Sequence, residues 1–317
     1  MIQTPSGERS APESAVVSVR DLRMRYGDHD VLTGVDLDIH AGEVVCLLGP
    51  NGAGKTTTIE ILEGFRIRSA GEIDVLGEDP ASAGESWRAR TGVVLQSWRD
   101  HPRWTPRRLL AQLGGYYAPY STPDQVRPWD FEELIEVVGM SEMADRKIST
   151  LSGGQRRRLD VAMGIIGRPE LLFLDEPTAG FDPQARRDFH HLVHRLADLD
   201  NTTILLTTHD LDEAEKLADR VLILAGGRIV ADDSPEGLAL RVAGEAEVKW
   251  TRGGERFVHS TTEPTKCVRD LFVQYGEEVD DLEVHRASLE DAYLTLVQQH
   301  EAGRVDQAAQ AFEEVTT

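Results

Sequence analysis

Val44-Val45-Cys46-Leu47-Leu48, running into Gly49-Pro50-Asn51-Gly52-Ala53-Gly54-Lys55-Thr56, decides the fold. Five apolar residues in a row, bounded by glycine, read as a short strand buried on both faces. A helical pattern follows over residues 56–63. Strand, glycine-rich loop and helix, with Lys and Thr closing the loop, form a phosphate-binding motif. Glycines let backbone N–H groups close round phosphate oxygens, and the helix N-terminus adds a favourable dipole. Gly49, Pro50, Asn51, Gly52, Ala53, Gly54, Lys55, Thr56 and Thr57 are the expected nucleotide-binding residues. Lys55 is expected to reach the terminal phosphates and Thr56 to bind Mg²⁺.

Toward the C-terminus a second apolar run, 171–174, ends in Asp175-Glu176. A carboxylate at the end of a buried strand is costly unless it meets a cation. Asp175 is therefore the expected Mg²⁺ partner, and Glu176 the group that orients and polarises an attacking water. Between the two runs, Leu151-Ser152-Gly153-Gly154-Gln155 leads into another helix. A serine and two glycines at a helix start make a second anion cradle. One sheet has room for one phosphate loop, so the second cradle points to two chains sharing each nucleotide.

Strand-like segments at 16–20, 35–39, 91–95, 203–207 and 221–224 join the two runs, and helical patterns fall between several of them. Such alternation means βαβ units, an α/β fold and a mainly parallel sheet. Residues from about 98 to 168 read as helical without strong strands, an insertion between two core strands. After Ser234 the pattern restarts as a smaller αβ unit, in which Leu289, Ala292, Tyr293 and Leu296 make one apolar helical stripe. The expected divisions are a disordered tail over 1–15, a nucleotide-binding domain over 16–240, the αβ unit over 241–300 and a polar tail over 301–317.

Composition removes several classes. No run approaches the ~18 apolar residues of a membrane-spanning helix, and the first fifteen residues lack the apolar stretch of a secretory signal. A net charge of −21 argues against nucleic-acid partners, whose phosphates need neutralising Lys and Arg. Two cysteines imply no disulfide framework, so the cytosol fits.

The motifs in this order resemble the ATPase subunit of ABC transporters, whose signature is LSGGQ. The resemblance spans roughly residues 16–240. It implies a P-loop NTPase core of ABC ATPase type with an antiparallel β subdomain and an inserted helical subdomain. Position by position, Tyr26 matches the aromatic that stacks on adenine, and Gln96 the glutamine that senses Mg²⁺ and the membrane partner. Asp182 matches the aspartate of the loop crossing the dimer interface, and His209 the histidine that contacts the terminal phosphate. By the same resemblance Lys55, Gln96, Glu176 and His209 are catalytic, and Thr56, Gln96 and Asp175 hold the metal. The resemblance also implies that Leu151, Ser152, Gly153, Gly154 and Gln155 act on ATP bound by the other chain of a homodimer. Ala179-Gly180-Phe181 stands before Asp182 where many members carry serine, alanine and leucine. That form, with the C-terminal SLEDAYL, resembles the exporter branch that includes drug, antibiotic and polysaccharide pumps. The implied function is ATP hydrolysis energising an exporter whose permease is a separate chain, at the cytoplasmic face of the membrane. A soluble ABC-type ATPase without a transport role and an importer subunit are the alternatives.

One local departure remains. Residues 88–108 contain Arg88, Arg90, Arg99, Arg103, Arg107 and Arg108 against one acid, and residues 98–131 hold 7 of the chain's 19 aromatics. Arginine with Trp and Tyr is the composition of interface hot spots, which makes 88–131 the expected docking segment for the permease.

Overall fold

The computed structural model describes residues 15–94, 101–178, 181–200, 202–242, 246–285, 288–300 and 302. The chain opens with an antiparallel hairpin of β1 (Val17–Tyr26) and β2 (His29–Ile39), followed by β3 (Val44–Leu48) and α1 (Lys55–Leu62). Then come β4 (Ala70–Val75), α2 (Glu85–Arg88), β5 (Thr91–Val94), α3 (Pro106–Tyr117), α4 (Phe131–Val137) and α5 (Gly153–Ile165). The order continues through β6 (Leu171–Asp175), α6 (Pro183–Asp200), β7 (Thr203–Thr208), α7 (Leu211–Leu217), β8 (Arg220–Ala225), β9 (Arg228–Asp233) and α8 (Pro235–Val242). Last are β10 (Ala246–Arg252), β11 (Glu255–Thr261), α9 (Pro264–Tyr275), β12 (Asp280–His285) and a helix over 289–300.

Six strands in the order β5-β6-β7-β3-β8-β9 form the central sheet, parallel except for β9. Alternate residues of each inner strand face opposite cores, which is why these strands read as unbroken apolar runs. Cys46, Leu172, Leu206 and Ile223 enter the cluster under the helical insertion. Leu47, Phe173, Leu205 and Leu222 enter the cluster shared with the separate sheet β2-β1-β4. The parallel register sets Leu48 opposite Thr208 and Asp175 opposite Thr207. Three chain segments therefore leave the sheet side by side at its C-terminal edge, where open α/β sheets place their ligands.

Strands β4, β9 and β10 to β12 lie outside the segments read as strands in sequence. β4 buries only two of its six residues and supplies no apolar run. The C-terminal sheet, β11-β10-β12, is antiparallel and begins with a hairpin whose two-residue loop is Gly253-Gly254, both at positive φ. The apolar stripe on the last helix does not stay within that unit. Leu289 and Ala292 are 1% and 0% exposed and belong to the cluster that contains Cys46 and Leu172, with Tyr293 and Leu296 packed against it.

Two of the arginines in the basic segment are neutralised within the fold. Arg90 grips Glu170 through two bonds of 2.9 Å, and Arg107 pairs with Glu132 and Asp145 while covering Phe131. Arg108 covers Trp104, Trp129 is buried, and Tyr116 stays 66% exposed. Arg99, Trp98 and Gln96 lie outside the described residues.

Glu63, directly after α1, is 7% exposed. Burial, and then the negative charges of Asp175 and Glu60, push its carboxyl from the ordinary 4.5 up to about 8. Between those values the folded chain keeps a proton that the unfolded chain has released. Stability should then fall as pH rises through the window, by ~1.4 kcal/mol per pH unit. Glu63→Gln is expected to raise Tm more at pH 8 than at pH 5, and equal shifts at both pH values would contradict this.

Candidate functional site

The loop between β3 and α1 is shaped by close backbone approach. A Cβ on Gly49 would lie 2.4 Å from the Leu224 carbonyl oxygen, and one on Gly54 would lie 2.6 Å from the Leu32 side chain. Gly54 also opens α1 at φ 106°, a left-handed conformation that a side chain disfavours. At the first helical position Lys55 is 6% exposed. Its ammonium donates to the carbonyls of Gly49 at 2.8 Å and Pro50 at 3.3 Å, and lies 3.7 Å from Glu176 Oε1. The Thr56 hydroxyl is 3.5 and 3.4 Å from the two oxygens of Asp175.

The neighbouring strands complete the arrangement. From β7, the Thr207 hydroxyl donates to Asp175 Oδ1 at 2.6 Å and accepts from the Glu176 N–H at 3.1 Å. Glu176 sits at φ 45°, a conformation uncommon for a residue with a Cβ, so the local backbone is strained where its carboxylate turns inward. His209 Nδ1 donates to Glu176 Oε2 at 2.7 Å. Glu176 thus stands between Lys55 and His209. Lys55, Thr56, Asp175, Glu176 and His209 line a 630 Å³ cleft with Asn51, Gly52, Gly54 and Thr57, whereas the expected loop residues Gly49, Pro50 and Ala53 do not line it. Paired hydroxyl and carboxylate oxygens are the donors that Mg²⁺ takes, so Thr56 and Asp175 fit that ion.

The second cradle faces a different cleft, of 710 Å³, lined by Ser152, Gly153, Gly154 and Gln155 with Phe181 and Asp182. Glu176 lines this one too. Ser152 caps α5 through a reciprocal pair in which Gln155 N–H donates to its hydroxyl and the Gln155 side chain accepts from its N–H. Arg157 then ties α5 to the acidic segment by donating to the Pro177 carbonyl at 3.0 Å. Asp182 Oδ1 accepts from the N–H groups of Gln184 and Ala185, both at 2.9 Å. A Cβ on Gly153 would meet nothing within 4 Å, so among the described residues no contact demands glycine there.

The structure does not bring all the expected residues into one cleft. Tyr26 ends β1 opposite His29, which lines the 630 Å³ cleft, while Tyr26 itself does not. Leu151 packs on the core beside α5. Gln96 lies outside the described residues. Sequence reading missed His29, Val31, Thr207 and Arg157. Only Thr207 left a signal, a hydroxyl two residues before His209 at the end of an apolar strand.

Residues 32–179 match the ABC transporter family. Nod factor export ATP-binding protein I of Burkholderia lata is 40% identical over 228 residues, covering 71% of this chain and 72% of the relative. The protein of that name from Cupriavidus pinatubonensis is 35% identical over 306 residues, covering 89% and 91%. Daunorubicin resistance ATP-binding protein DrrA2 of Streptomyces coeruleorubidus is 34% identical over 308 residues, covering 88% and 94%. Among solved structures, an ATP-binding subunit of an ABC transporter superposes with TM-score 0.60 at 25% identity, over 71% of this chain and 92% of the other. A dimeric bacterial ABC transporter cassette, at 23% identity and TM-score 0.58 over 69% and 98%, shares the fold. Similarity at this level along most of each relative makes the chain a member of the ABC transporter ATP-binding family, an ATPase that binds ATP and works with transmembrane subunits.

Proposed function

We propose that two copies of this chain close on two ATP molecules, and that hydrolysis reopens them to drive export through a separate permease. The observation that carries the reading is the position of Glu176, which lines both clefts and is held by Lys55 on one side and His209 on the other.

The phosphate loop would hold the β- and γ-phosphates through backbone N–H groups and Lys55, with Tyr26 stacking on adenine. Mg²⁺ would be held by Thr56 and Asp175, with Gln96, and when bound it supplies positive charge to the phosphate oxygens. Glu176 would take a proton from the attacking water, and His209 would place a nitrogen at the terminal phosphate. Leu151 to Gln155 and Asp182 would complete the site from the partner. The open space at Gly153 supports that assignment, since the approach of a partner's nucleotide would supply a constraint that the described residues of one chain do not.

Among the described residues no helix is long and apolar enough to cross a membrane. A separate permease, at the cytoplasmic face of the membrane, therefore carries the substrate path in this proposal. Relatives named for Nod factor export and daunorubicin resistance favour export of amphiphiles such as drugs or antibiotics over import. The permease is proposed to dock on residues 88–131, where Arg88, Arg103 and Tyr116 remain exposed.

Glu176→Gln should keep ATP binding, lose turnover by ~10²–10⁴-fold and accumulate as an ATP-bound dimer. Phosphate release near the wild-type rate would overturn its role. Lys55→Ala and Gly153→Asp chains, each inactive alone, should regain activity when mixed, because one site of the mixed dimer escapes both lesions. No recovery despite proven subunit exchange would refute the shared site. With the cognate permease in vesicles, reversing Arg88 and Arg103 to Glu should release the chain from the membrane fraction while the free subunit still binds ATP. Retention with intact transport would place the dock elsewhere.

A further inference from the structure

Arg66 makes a contact that none of the roles above uses. Its guanidinium carbon lies 5.2 Å from the centroid of the Tyr26 ring, and its Nε donates to Glu60 Oε2 at 2.6 Å. Glu60 is five residues past Lys55 on α1, the helix whose N-terminus forms the phosphate loop. The N–H groups of Phe65 and Arg66 also both donate to the Glu60 carbonyl, at 2.9 and 3.0 Å, which fixes the chain as it leaves the helix. Farther on, Ser69 is joined to β1 on either side of Met24. Its N–H donates to the Arg23 carbonyl at 2.9 Å, and its hydroxyl accepts from the Arg25 N–H at 3.0 Å. An unbroken path of bonded groups thus runs from the phosphate-binding helix through Glu60 and Arg66 to the ring of Tyr26.

We propose that Arg66 is a positioning residue for the nucleobase, holding Tyr26 at a set distance from the phosphate loop so that one nucleotide meets both. The inference rests on Tyr26 being the adenine platform. The physics is a cation against an aromatic face, with the cation itself locked by a carboxylate. Tyr26 remains 39% exposed, so the arginine covers only part of the ring and leaves surface for a base. Among the described residues no second cation lies over the Tyr26 ring, and the Tyr26 backbone pairs with His29. A phenol ring at a strand end otherwise rotates over a broad, two-fold χ2 well. A guanidinium held over one face narrows that range before the base arrives, so less ordering is left to be done on binding.

The test uses the full chain and two probes, Mg-ATP and Mg-tripolyphosphate, the second of which has no base. Dissociation constants are measured by calorimetry for Tyr26→Ala, Arg66→Ala, Glu60→Gln and the Tyr26→Ala/Arg66→Ala pair. Arg66→Ala should weaken Mg-ATP by about two- to five-fold, the range of an exposed cation–aromatic contact, and leave tripolyphosphate unchanged. Glu60→Gln should lose affinity in the same direction and by less. In the Tyr26→Ala background, Arg66→Ala should have no further effect. Equal losses for both probes would make Arg66 a merely structural residue, and tighter ATP binding would mean that it occupies the place of the base. A further loss in the double variant would show that it does not act through Tyr26. If Tyr26→Ala itself leaves ATP affinity unchanged, the platform reading falls; if only Arg66→Ala is without effect, the positioning role alone falls. Should Arg66→Ala fold poorly, Arg66→Lys, which keeps the charge without the planar guanidinium, is expected to give an intermediate ratio of the two constants.

Discussion

Lys55 is 6% exposed, and a charge so deeply placed is tolerated only where oxygens replace the water it has lost. Two come from the loop that Lys55 itself closes, the carbonyls of Gly49 and Pro50, and a carboxylate oxygen of Glu176 lies farther off. Each demands something of the surrounding chain. The loop carbonyls can turn inward only because Gly49 and Gly54 permit backbone and side-chain approaches that a Cβ would block. The carboxylate is within reach only because β6 lies one strand away from β3, with β7 between them.

That middle strand does more than fill space. Thr207 serves the two acids on opposite sides of its hydroxyl, donating to Asp175 and accepting from the Glu176 N–H. Two residues on, His209 donates to the Glu176 side chain. The acids are thereby separated in environment. Asp175 faces a hydroxyl pair, Thr56 and Thr207, whereas Glu176 faces nitrogen donors, Lys55 and His209. Adjacent carboxylates with different neighbours are what a site needs if one is to hold a cation and the other to accept a proton.

Much of this was legible because it rests on short-range rules. β3 and β6 were read to their end residues, since an apolar run bounded by glycine or acid has few other meanings. The ABC-type fold followed from ordered motifs. What stayed hidden depended on distant contacts. β4 buries only alternate residues and β11 is largely exposed, so neither carries an apolar run to announce it. A count of arginines over residues 88–108 suggested free positive charge, yet Arg90 meets Glu170 and Arg107 meets Asp145, 80 and 38 positions away. The stripe at Leu289 was visible as a stripe, but periodicity alone does not say which core an apolar face will enter. Thr207 was overlooked because a threonine in a buried strand is ordinary until its neighbours are known.

The entry of Leu289 and Ala292 into the cluster around Cys46 and Leu172 also bears on how the protein is made. A ribosome delivers residues in order, so every strand of the central sheet is outside the exit tunnel while the helix over 289–300 is still being synthesised. Until that helix arrives, the apolar surface it will cover faces solvent, where holdase chaperones bind and proteases probe. A chain cut short after β9 by a nonsense codon or an early stall would keep its phosphate loop and both acids but lack this cover. The surface that marks such a copy is thus apolar and lies apart from the residues that line the nucleotide cleft.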